Sequence, residues 1–313
     1  MTTSTLLDPT LDYVFKKMFT ADTGILVDLI NSVLKLSGER QILTADVKNP
    51  DILPDEINKK YIILDISAAD DSGCNYDIEM QVRKYKSYSK RAVYYVSKMY
   101  SGQLETGEDY AELKPAIGIH FLDYYEFPDH EDFRFCFELR DFRYPELRLT
   151  EDIALYIFEL RKFEKRRKAG LISGDKVGDW LYFFKHACEE GDMTMRTHYK
   201  NPAIHKAFNI LETLSADEKV RRQAEMREKA LKNEISELAA KREGEKKGEK
   251  KGKKEGKKEG KKEGKKEGKK EGREEEKKDN AKKLLKMGVL TLGQIAEAIG
   301  LSEKDISEIQ KNL

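Results

Sequence analysis

Cysteine is scarce in this chain. Cys74, Cys136 and Cys188 are odd in number and far apart, which excludes a disulfide framework and the paired spacing of a structural zinc site. A reducing, cytoplasmic compartment is the simplest setting. No apolar run approaches the roughly 18 residues of a membrane helix, so no membrane partner is expected. The opening residues, Met1-Thr2-Thr3-Ser4-Thr5, lack the basic start and apolar core of a secretory signal. The histidines, His120, His130, His186, His198 and His205, show no metal-binding spacing and read as satisfied or exposed side chains. Gly-rich phosphate loops, a Ser-His-Asp order and a dinucleotide fingerprint are missing too, so no small-molecule cofactor is expected. Nor does one sign of charge dominate: the formal net charge is +1. That balance hides an asymmetry. Residues 241–278 carry 19 Lys/Arg against 11 Asp/Glu, an excess of 8. The last 35 residues balance, which leaves about −7 for residues 1–240. An acidic body with a basic tail fits a metal-dependent enzyme whose attraction for nucleic acid is partly delegated. It fits an acidic domain with a solubilising tail equally well.

What is present centres on one hairpin. Residues 61–69 and 75–82 read as strands joined by the turn Asp70-Asp71-Ser72-Gly73. With Asp71-Ser72-Gly73 as a three-residue loop, Gly73 takes the left-handed position. Position 70 then faces 74, and Asp65 faces Glu79 at about 5 Å. Gln81 shares their face, because alternate strand residues point the same way. Two carboxylates that close repel unless they share a proton or a divalent cation such as Mg²⁺. The rival reading is a pair of exposed acids in a soluble hairpin. The flanks Ile62, Ile63, Leu64, Ile66, Ile78, Met80 and Val82 suggest strands covered on both faces, where unpaired carboxylates are costly. Lys84, Lys86, Lys90 and Arg91 follow closely and read as phosphate donors or as a solvated helix face.

Asp65 followed by Glu79-x-Gln81 resembles the PD-(D/E)XK nuclease signature with Gln in the Lys position. More specifically, the chain resembles the Rpn family of recombination-promoting nucleases and transposases. The landmarks are Asp12-Tyr13-Val14-Phe15-Lys16-Lys17-Met18-Phe19, Ile78-Glu79-Met80-Gln81, Arg91-x-x-Tyr94-Tyr95, Gly107-x-x-Tyr110 with Pro115, Ile117-Gly118-Ile119, and Glu159-Leu160-x-Lys162-Phe163. They run in order over most of residues 6–240. The resemblance implies an α+β, α/β/α-like fold: a restriction-endonuclease-like core of order αβββαβ with helical additions and a helical, low-complexity C-terminal tail. It implies Asp65 and Glu79 as ligands of Mg²⁺ or Mn²⁺, joined by the Met80 carbonyl, with Gln81 near the attacking water. Arg91, and more weakly Lys84, would meet DNA phosphate. Asp12 would lend an accessory acid, against the simpler reading of a solvated acid at a helix start. The implied activity is a divalent-metal-dependent DNA endonuclease linked to recombination or mobile elements. Glutamine lacks the charge that lysine gives the transition state, although it can aim a water. The alternative is therefore a catalytically weak or inactive nucleic-acid or protein interaction module on the same fold. Homo-oligomerisation stays open.

Along the chain, Asp8 and Pro9 open a first helix, residues 26–36 read as a second and 87–104 as a third. Ala116–Leu122 reads as the fourth core strand and 133–139 as an edge strand. Residues 153–163 and 177–187 read as helices. A charged helix over 216–241 leads into a Lys-Lys-Glu-Gly repeat, whose glycines each cost about 1 kcal/mol in a helix. The repeat therefore reads as a disordered or fluctuating linker, or a basic tether. Thr291 should cap Leu292–Ile299, Gly300 should end it, and Ser302 should cap 303–313, giving a helix-turn-helix-like end. Its candidate recognition helix, 303–313, has acids and lysines but no arginine. That charge suits a DNA groove poorly, and protein contact or dimerisation is the rival reading. The expected domains are 1–215, 216–278 and 279–313.

Overall fold

The computed structural model describes residues 6–49, 66–171, 174–190 and 196–313. The chain divides into two compact units, Met1–Ser236 and Glu237–Leu313.

The first unit begins with two helices, α1 (Asp12–Ala21) and α2 (Thr23–Leu34). Asp22 separates them: its side chain accepts from the Gly24 amide and starts α2. Strands β1 (Ala45–Val47), β2 (Ile66–Asp70) and β3 (Asn75–Gln81) follow, then α3 (Tyr88–Ser101) and β4 (Ala116–Leu122). That is the expected αβββαβ order, and the fold is α+β. Strands β5 (Arg134–Glu138) and β6 (Ile153–Glu159) and helices α4 (Leu160–Lys168), α5 (Lys176–His186) and α6 (Pro202–Ala216) complete the body. The sheet runs β1-β2-β3-β4-β6-β5. Its centre, β3-β4-β6, is parallel, and its flanks are antiparallel.

The β2–β3 hairpin has the register read from the sequence. Ile66 faces Ile78 and Ser67 faces Asp77. The Asp70 amide donates to the Cys74 carbonyl at 3.0 Å, and Gly73 has φ +86°. The Asp70 carboxylate accepts from the Ser72 and Cys74 amides and from the Tyr76 hydroxyl, so this acid serves the turn.

The reading of 153–163 as one helix is corrected. Residues up to Glu159 form β6, and the helix starts only at Leu160. The apolar run Ile153-Ala154-Leu155-Tyr156-Ile157-Phe158 has no clear period, because an interior strand covered on both faces is apolar throughout.

One face of the sheet packs on α1, α2, α5 and α6. Ile78, Ile119, Phe121 and Phe158 meet Phe15, Phe19, Trp180 and Phe184 there, with ring centroids such as Phe121–Phe184 at 5.1 Å and Phe19–Trp180 at 5.5 Å. The other face carries α3, whose Tyr88, Ala92 and Val96 pack on Ala116, Leu122, Leu155 and Ile157.

Helix α7 (Glu218–Met287) gives its first turns to the first unit, burying Ala224 and Leu231. The Lys-Lys-Glu-Gly repeat, expected to fluctuate, is helical. A Cβ at Gly256, Gly260 or Gly264 would meet nothing within 4 Å. Only local pairs such as Lys253–Glu249, 2.7 Å, support it. In the second unit Ala281 and Leu284 pack on α8 (Leu292–Ile299) and α9 (Glu303–Lys311). Thr291 and Ser302 form capping boxes, and Gly300 ends α8 at φ +68°, as the sequence reading expects. No helix among the described residues is long and apolar enough to cross a membrane.

Candidate metal centre

Strand β3 alternates two kinds of side chain. Tyr76, Ile78 and Met80 enter the large core, while Asp77, Glu79 and Gln81 point to the α3 side. Parallel pairing with β4 sets His120 beside Glu79 and Gly118 beside Asp77. The result is a polar cluster under a helix. Asp77 is 5 % exposed, Glu79 1 % and His120 0 %. One ligand atom from each lies within 4.8 Å of the others.

The hydrogen bonds leave this cluster unfinished. Glu79 Oε2 accepts from Gln81 Nε2 at 3.1 Å and lies 3.4 Å from Arg91 Nη2. His120 Nδ1 is held 2.7 Å from the Tyr88 hydroxyl. Glu79 Oε1, Asp77 Oδ2 and His120 Nε2 have no hydrogen-bond partner. Asp77 Oδ2 and His120 Nε2 are 3.4 Å apart, too long for more than a weak bond. Each unmatched buried group costs about 1–3 kcal/mol, more if charged. Protons offset part of that cost. Burial pushes the Glu79 carboxyl above the ordinary range, with Asp77 adding to it while His120, Arg91 and Gln81 oppose. Burial pulls His120 down, but the charges of Glu79 and Asp77 outweigh it and the imidazole pKa is raised.

Three converging atoms, two from carboxylates and one from an imidazole, are a donor set that suits a divalent cation. Gly118 keeps the space beside them: a Cβ there would stand 2.6 Å from Leu155 Cδ1 and 3.3 Å from His120 Nε2. An open cleft of about 320 Å³ reaches Asp77, lined also by Ser67, Tyr95, Lys98, Met99 and Gly102.

Sequence reasoning named part of this constellation. Glu79 is at its centre, Gln81 bonds to it, and Arg91 lies against it while stacking on Tyr85 at 4.6 Å. Asp65 lies outside the described residues. Lys84 turns away, donating to the Tyr125 carbonyl at 2.7 Å and pairing with Glu126 at 3.1 Å. Asp12 is elsewhere. It sits on α1, against the opposite face of the sheet, where Arg227 grips both carboxylate oxygens at 2.6 and 3.1 Å. It is a buried acid rather than a solvated one, and the pair anchors α7 to α1.

Asp77 and His120 were missed. Asp77 shares the parity of Glu79 and Gln81, and that was a usable signal. His120 stands alone in an apolar strand, and only the β3–β4 register brings it to Glu79.

The sequence profile of the PD-(D/E)XK nuclease family transposase matches residues 9–241. The chain belongs to that family. Comparison with curated proteins and with solved structures returns no match. Family membership and the mixed sheet together make this a nuclease fold, and the buried cluster lies on its central strands.

Proposed function

We propose that the protein is a divalent-metal-dependent nuclease that hydrolyses the phosphodiester backbone of DNA, in a recombination or mobile-element setting. The observation that carries this reading is the set of three buried, unmatched atoms, Asp77 Oδ2, Glu79 Oε1 and His120 Nε2, in a cluster whose Asp77 lines an open cleft. Asp77, Glu79 and His120 would hold the ion, with Asp65 as the further ligand expected from the family signature. A bound Mg²⁺ or Mn²⁺ supplies Lewis-acid stabilisation of phosphate charge and lowers the pKa of water.

The chain's own groups have separable tasks. Gln81 accepts a proton-bearing water through its amide oxygen while its Nε2 stays on Glu79. Arg91 balances Glu79 Oε2, the oxygen that also accepts from Gln81. Tyr88 fixes the His120 ring, and accepting from Nδ1–H leaves the Nε2 lone pair free for a cation. Lys98 lines the cleft and would meet a substrate phosphate there.

The test is nicking of supercoiled plasmid with Mg²⁺, Mn²⁺ or chelator, run beside calorimetric metal titration. Wild type should bind metal and nick, while Glu79→Gln and Asp77→Asn should do neither with the fold intact. Undiminished cutting by Glu79→Gln would sink the assignment. Gln81 in place of lysine favours one second reading, an interaction module that binds metal without useful catalysis. Metal binding without cleavage of any DNA form would select it.

A further inference from the structure

We infer that β5 is a self-complementary edge through which two copies of this chain pair antiparallel about Cys136. Among the described residues, β5 has a neighbour on one side only, β6. The Glu159 amide donates to the Phe133 carbonyl at 2.7 Å, in register with Arg134 opposite Phe158. Odd-numbered residues of this strand therefore bond to β6. The backbone N–H and C=O groups of Arg134, Cys136 and Glu138 point the other way, to the open edge.

The side chains of this segment are a palindrome in polarity with inverted charge. Folded about Cys136, Arg134 faces Glu138, Asp132 faces Arg140, Phe135 faces Phe137, and Phe133 faces Leu139. Every opposed pair is then opposite in charge or apolar on both sides, which favours cross-strand pairing. The parity agrees as well, since centring on Cys136 brings the outward-pointing even residues into hydrogen-bonded pairs.

The edge also carries no proline, one of the residues that blunt open strands. Here Phe137 and Leu139 are 47 % and 43 % exposed, beside an apolar groove of about 270 Å³ lined by Val93, Phe127 and Leu155. The charged members have partners within the chain, Arg134 with Asp175 at 2.7 Å and Glu138 with Arg140 at 2.6 Å and Arg148 at 3.0 Å. Those pairs are partly solvated and of small worth, so exchanging them across the edge costs little. A second copy supplies the matching strand, the matching charges and apolar cover at once. A foreign strand would have to reproduce the same inverted pattern.

Sedimentation velocity on the full chain tests the pairing through charge. Wild type should sediment at twice the chain mass. Arg134→Glu alone and Glu138→Arg alone each set like charges opposite each other and should sediment as single chains. Mixed one to one, the two variants restore both opposite pairs and should return to twice the mass. A single-chain wild type, or variants that remain paired, would overturn the inference. Because Glu138→Arg stands beside Arg140 and Arg148 and can perturb the edge itself, a second measurement uses the wild-type strand. Opposed residues in a hydrogen-bonded pair have Cα atoms about 5.5 Å apart, within disulfide reach. Oxidation by copper phenanthroline should give a disulfide-linked pair that is lost in Cys136→Ser. A dimer that Cys136 does not cross-link overturns the register and the inference with it.

Discussion

The two faces of β3 are one residue apart in sequence and opposite in character. Tyr76, Ile78 and Met80 enter a core of interleaved aromatic rings, where every neighbour is matched by another. Asp77, Glu79 and Gln81 enter an equally buried space in which three polar atoms stay unmatched. Stability is concentrated on one face and chemical potential on the other. The two-residue period of a strand is what keeps them apart, and a register slip of one residue would exchange them.

Breaking the apolar face should have the largest effect. Phe121→Ala or Trp180→Ala should lower stability by about 3–5 kcal/mol, read as an earlier urea midpoint. A loss near zero would mean that this face does not hold the fold. Filling the polar face comes next. Gly118→Ala drives a Cβ toward Leu155 and Val96 and should cost about 1–3 kcal/mol through overpacking. Metal affinity should fall with it, because the same Cβ crowds His120.

Relieving the polar face should act in the opposite direction. Glu79→Gln removes a buried carboxylate and should raise the metal-free melting temperature while eliminating the heat of metal binding. A variant that melts lower without metal would show that the carboxylate is already satisfied.

The pH response follows from the same groups. His120 has a raised pKa, so its contribution is fully present below the ordinary imidazole value near ~6.5 and is lost as pH rises through the folded value. Glu79 is raised too, so the folded state gains stability as pH falls through its folded value. Both signs agree. Without metal the protein should melt higher in mildly acidic than in mildly alkaline buffer, and Glu79→Gln should flatten that slope. The smallest effect belongs to neither face. Gly260→Ala should gain about 1 kcal/mol of local helix propensity. It should slow amide exchange in the repeat without moving the unfolding of the first unit.

Much of the fold was legible in the sequence because local signals agreed with it. Gly73 demanded its turn, and Thr291, Gly300 and Ser302 punctuated the end. Asp8 and Pro9, read as the start of the first helix, instead form a turn ahead of it, and α1 begins at Asp12 with Leu11 at its N-cap. Residues 153–159 were not legible, because an apolar run covered on both sides has no period to read. For the site, spacing gave Glu79 and Gln81 along one strand. His120 comes from a parallel neighbour across a helical crossover, and no local pattern encodes which residue of β4 stands beside Glu79. Asp12 misled because its sequence context does not reveal Arg227, 215 positions away.

That distance has a consequence for synthesis. The grip of Arg227 on Asp12 ties the first helix to a segment that leaves the ribosome after the whole sheet has been made. A nascent chain halted before residue 227 carries a carboxylate destined for burial with no guanidinium to receive it. Docking of α1 should then wait for the last helix of the body, so folding concludes late rather than growing outward from the start. Ribosome-stalled chains ending on either side of Arg227 should differ in protease resistance at α1. Equal resistance would mean that the first helix docks without waiting.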